Sequence, residues 1–109
     1  MAITSKIKLV VAANEPALFY SSVSQAERDL EAIDVRDGVY PVGYGREGQV
    51  FKLEAIGDRV RISQVAGLPP KPDDLRALLL RYLSAAGVSD VEQPEPLGIL
   101  LARCDAAVD

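Results

Sequence analysis

The sequence predicts a single α+β domain, residues 1–109, in which a small antiparallel sheet packs against two or three α-helices. Three observations carry this. Ile7 to Ala12 is an apolar run of strand length, the stretch from Tyr40 to Val65 alternates apolar and polar residues around two turn signals, and Asp73 to Ala86 sets leucines at helical spacing. The 109 residues, 49% of them apolar, suffice for one hydrophobic core and leave no room for a second domain.

Taken in order, the first strand closes at Asn14-Glu15-Pro16, a turn signal that a strand interior would not tolerate. A short segment, Ala17 to Tyr20, leads to a helix start. Ser22 with Gln25 forms a capping box, and Ser24 with Glu27 repeats the signal two residues on. Val23, Ala26, Leu30 and Ile33 then recur at helical spacing, so the first helix is expected to run unbroken from Val23 to Ile33 with those four side chains facing the core.

Asp37-Gly38 ends that region. Three strands follow as a meander, with turns at Gly45-Arg46-Glu47-Gly48 and Gly57-Asp58. One apolar face of the meander needs a cover, and the next helix is expected to supply it. Gly67-Leu68-Pro69-Pro70-Lys71-Pro72 forms a stiff connection, after which Asp73 is expected to cap a helix bearing the apolar set Leu75, Leu78, Leu79, Tyr82, Leu83 and Ala86 and stopped by Gly87. Leu97, Leu100, Leu101, Cys104 and Val108 again follow helical spacing; a buried strand from Leu97 to Ala102 is the alternative, which Gly98 favours.

The composition excludes several functions. The chain has no histidine and one cysteine, so Ser-His and Cys-His pairs, imidazole-based zinc sites and an internal disulfide are all out of reach. No cofactor site is legible either. Gly43-Tyr44-Gly45-Arg46-Glu47-Gly48 matches the literal GxGxxG pattern, but a strand follows it where a dinucleotide site needs a helix, so a hairpin loop explains the glycines. Cys104 falls on the apolar stripe of the last helix and reads as core. The apolar run near the start is shorter than a membrane span or an export segment requires, which places the protein in the cytoplasm and off the membrane. No enzymatic activity is expected.

Charge leaves two readings open, an acidic solvated surface that serves solubility and one that steers a basic protein partner. The net charge is −4, distributed as −2 over residues 1–37, +2 over 38–72 and −4 over 73–109. Direct nucleic-acid binding is disfavoured by that balance, whereas acidic surfaces steer basic partners. Two clusters are the candidate partner-binding residues: Glu27, Asp29, Glu31, Asp34 and Asp37 around the first helix, and Asp90, Glu92 and Glu95 ahead of the last.

About a third of the chain carries a more specific signal. Tyr20-Ser21-Ser22, the run from Gln25 to Val35, Asp37-Gly38-Val39-Tyr40 and Gly48-Gln49-Val50-Phe51-Lys52-Leu53 resemble small bacterial immunity proteins that neutralise polymorphic toxins, including those of contact-dependent growth inhibition systems. The resemblance implies a partner, the C-terminal nuclease domain of a cognate toxin, acting on tRNA or DNA, whose substrate site the protein blocks. It assigns no interface residue, because the matched pattern is a scaffold signature. A small regulatory or structural subunit unrelated to toxins is the alternative that composition alone permits.

Overall fold

The computed structural model describes residues 7–13, 17–87 and 97–108. Five strands and four helices follow one another as β1 (Leu9–Ala12), β2 (Ala17–Tyr20), α1 (Val23–Asp29), α2 (Ala32–Arg36), β3 (Gly43–Gly45), β4 (Val50–Ile56), β5 (Arg59–Gln64), α3 (Pro72–Ala85) and α4 (Leu97–Val108). The strands form one antiparallel sheet in the order β2-β1-β3-β4-β5. This is the α+β class expected from the sequence, with one strand more. Ala17–Tyr20 pairs along all of β1, Leu9 opposite Tyr20 and Ala12 opposite Ala17, although four residues offer too little alternation to mark a strand. The turn at 14–16 lies outside the described residues.

Period-two alternation sends neighbouring strand residues to opposite faces, and both faces of this sheet are apolar near its centre. On one face Val10 and Tyr44 join Leu75, Leu78, Leu79 and Leu83 of α3 and Leu100, Leu101 and Cys104 of α4 in a closed core. Phe19 meets Tyr82 edge-on, ring centroids 4.6 Å apart, which ties α3 to β2. On the other face Leu9, Val11, Val60 and Ile62 pack with Ala26, Leu30 and Ala32 of the first helical layer. The meander is therefore covered differently from the sequence expectation. The apolar face of β4 and β5 lies under α1 and α2, while α3 lies with α4 over the opposite face, nearer β2.

The unbroken first helix is also corrected. Leu30 (φ −78°, ψ 143°) and Glu31 (φ −92°, ψ 136°) are extended, and they divide the segment into α1 and α2. The break resets the helical phase so that α1 lies on β5 and α2 on β4, with Leu30 and Ala32 both buried. Ile33 loses its place in the core and stands 60% exposed. The start of α1 follows the capping signal. Ser22 Oγ accepts the Gln25 N–H at 3.1 Å, and Gln25 Oε1 in turn accepts from the N–H and the hydroxyl of Ser21. Ser24 and Glu27 make no second box, since the Glu27 carboxylate is engaged elsewhere.

The third helix starts two residues earlier than expected. Its cap is Lys71, with Pro72 opening the first turn and Asp73 and Asp74 in that turn, where their charge favours the helix dipole. Gly87 ends the helix at φ 84°, the left-handed position expected of it. The loop between β3 and β4 docks on the start of α3: the Lys71 N–H donates to the Gly48 carbonyl at 2.8 Å. The segment from 97 on is a helix, which decides against the strand alternative. None of the described helices is long and apolar enough to cross a membrane.

Candidate functional site

The first acidic cluster is gathered onto the α1–α2 layer, but its members do different work. Glu27 is half-buried, and its Oε2 accepts the main-chain N–H of Ile62 at 2.8 Å. Asp29 Oδ2 accepts the Tyr20 hydroxyl at 2.7 Å, which pins the end of α1 to β2. Both carboxylates are thus committed within the molecule. Glu31, the N-cap of α2, makes no side-chain cap bond, and it is exposed together with Asp37, the C-cap. Asp34 between them is half-buried in the first turn. The three residues of the second cluster, Asp90, Glu92 and Glu95, lie outside the described residues.

The structure adds a residue that periodicity assigned to the core. Ile33 projects among the outward carboxylates of α2, with Asp37 at i+4 on the same helix face. An exposed isoleucine flanked by carboxylates has the composition of a small interface, an apolar anchor within a charged rim. Arg36, whose guanidinium donates to the Gly57 carbonyl, ties α2 to the β4–β5 turn and so fixes where this patch sits. Only the break at Leu30 creates the patch, and no glycine or proline between Val23 and Asp37 marks that break.

A second surface lies on the far side of the sheet. Because α3 and α4 cover the β2-β1-β3 half of their face and reach β4 only at Val50, the outward residues of β4 and β5 beyond it are open. Lys52, Glu54, Ile56, Arg59 and Arg61 are exposed there, with a 3.2 Å ion pair between Lys52 and Glu54. The GxGxxG segment forms the β3–β4 hairpin, with β4 continuing from Val50, and offers no helix N-terminus to a pyrophosphate. Among the described residues no trio of cysteine, aspartate and glutamate is placed to hold a metal ion.

The titratable groups with altered affinity for protons belong to the α3–α4 core. Burial pushes the Cys104 thiol up to about 12 from 9.0. Burial also raises the Tyr44 phenol, helped by Asp74 and opposed by Arg81, and it raises Tyr82, helped by Cys104. A neutral thiol held in the fold contributes stability that is complete below pH 9 and is lost as pH rises towards about 12. The protein is accordingly expected to unfold more easily in alkali, with a shallower alkaline decline in Cys104→Ala. That variant should cost some stability at neutral pH and leave partner binding intact, as followed by thermal melts from neutral to strongly alkaline pH. A decline of the same steepness in both proteins would show that the thiol contributes nothing to it.

In comparison with known proteins, no family model matches the chain, and neither a curated protein nor a solved structure matches it. The fold and its surfaces define an antiparallel α+β domain with helices on both faces and an apolar-acidic patch on its shorter helical layer.

Proposed function

We propose that the protein is an immunity protein that binds the nuclease domain of a cognate toxin in the cytoplasm and keeps tRNA or DNA out of its substrate site. The observation that carries this reading is the patch on α2, where exposed Ile33 stands between Glu31, Asp34 and Asp37. A nuclease presents a basic groove to its phosphate backbone. An acidic inhibitor matches the groove electrostatically, and a protruding apolar side chain gives the contact a desolvated centre from which the complex dissociates slowly. The sequence resemblance between Tyr20 and Leu53 supports the immunity class, without assigning any residue of the interface. Inhibition of this kind needs burial of about 1,200–2,000 Å² in total and no chemistry from the inhibitor.

The test is a cleavage assay with a toxin nuclease domain taken from the neighbouring gene, whose presence the proposal requires. Addition of the purified chain at equal concentration is expected to stop cleavage of tRNA or DNA, and expression of the chain should protect cells that express the nuclease. Undiminished cleavage in a large excess of folded protein would refute the proposal.

A further inference from the structure

The β4–β5 hairpin closes on the pair Ile56 and Arg59, and the Val65 N–H bonds the Val50 carbonyl at 2.9 Å. In an antiparallel ladder the main-chain groups of alternate residues face the partner strand. Arg59, Arg61 and Ser63 therefore bond inward to β4, while the N–H and C=O groups of Val60, Ile62 and Gln64 point outward. Among the described residues no strand pairs with that edge. An open edge is a template for another chain, and proteins generally cover or charge such edges. Here the cover is Glu27, whose carboxylate reaches from α1 to the Ile62 N–H. Beside the same edge runs a groove of about 470 Å³ with Leu30 and Val60 as its apolar lining and Glu27, Asp58, Arg28 and Arg59 among its polar lining, so the groove itself carries balanced charge and the basic preference comes from the open face of the sheet.

We infer that the outer edge of β5 is a docking site for an extended acidic segment of a partner protein, which adds as a sixth strand and displaces the Glu27 carboxylate. Main-chain bonds to Val60, Ile62 and Gln64 supply the affinity, as in strand addition generally. The flanking side chains set the sequence. On the open face of the sheet Arg59 and Arg61 are exposed and have no ion pair among the described residues, so a docked strand meets them best with acidic residues at alternate positions. Its intervening residues face the helical side, where the groove over Leu30 and Val60 accepts apolar side chains. The same two arginines oppose a second copy of this chain, because antiparallel β5–β5 pairing would bring like charges together. This site is separate from the α2 patch and does not depend on the toxin reading.

The probe is a short fluorescent peptide, acetylated and amidated, that alternates glutamate with valine; the controls alternate lysine with valine or carry a central proline. Binding by anisotropy is read alongside the amide resonances of the full-length protein. The glutamate peptide is expected to bind and to shift the amides of Val60, Ile62 and Gln64 above all. Glu27→Ala, which removes the internal competitor, should tighten binding about tenfold. Arg59→Glu combined with Arg61→Glu should weaken it about tenfold or more. Either control peptide binding equally well would overturn the inference, as would no binding to wild type and Glu27→Ala alike. Concentration-dependent self-association of Glu27→Ala in place of peptide binding would assign the edge to a second copy of the chain and overturn the acidic partner.

Discussion

Leu79→Ala is expected to lower the free energy of unfolding by about 2–5 kcal/mol, the range of buried leucine truncations. Leu79 is fully buried between α3, α4 and the Val10–Tyr44 face of the sheet, together with Leu75, Leu83 and Leu100. Truncating its isobutyl side chain to a methyl both loses apolar transfer energy and leaves a space that helices held by this one core cannot readily close. Urea denaturation of the two proteins gives the difference from the midpoints at constant slope. A loss below about 0.5 kcal/mol, well under the buried-leucine range, would place Leu79 outside the core and dissolve the α3–α4 layer.

Gly48→Ala is expected to be nearly as costly, for a different reason. Gly48 has φ 91°, a conformation that L residues rarely adopt, and an added Cβ would lie 2.6 Å from Pro72 N and 2.7 Å from Lys71 C. Those are main-chain atoms at the start of α3 and cannot swing aside. Backbone strain and overpacking together amount to about 2–4 kcal/mol. The hairpin loop must also retreat from the Lys71 N–H that now bonds the Gly48 carbonyl. Denaturation measures the loss, and the Lys71 amide should exchange faster with deuterium than the amides of β5. Wild-type stability in Gly48→Ala would mean that the loop and α3 do not touch.

These two sites differ in how far the sequence reveals them. Leu79 is legible, because leucines at i, i+3, i+4 and i+8 along Leu75–Leu83 fix a buried stripe whatever the partner. Gly48 is legible as a turn glycine, but its contact with Pro72 joins segments that only the fold brings together. The same limit explains the misplaced cover of the meander. Two apolar faces with equal periodicity look alike in sequence, and only the strand order decides which helix each meets. The candidate site suffers more. Ile33 fits the phase of Val23, Ala26 and Leu30, and it leaves the core because the extended pair Leu30-Glu31 turns α2, a change that tertiary packing imposes on residues with ordinary helix propensity. Glu27, named among the partner residues from charge alone, spends its carboxylate on Ile62, thirty-five residues away.

If the α2 patch meets a basic nuclease, as proposed, the association rate of the intact protein with a candidate toxin nuclease domain, measured at low and high salt, tests it most directly. Charge reversal by Glu31→Lys, Asp34→Lys and Asp37→Lys together is expected to slow association about tenfold or more at low salt, with the difference shrinking at high salt as screening removes the steering. Ile33→Glu should mainly speed dissociation. Reversal of Asp90, Glu92 and Glu95 to lysine serves as the comparison and should slow association less. Unchanged association, dissociation and cell protection in the folded α2 variants would contradict the account.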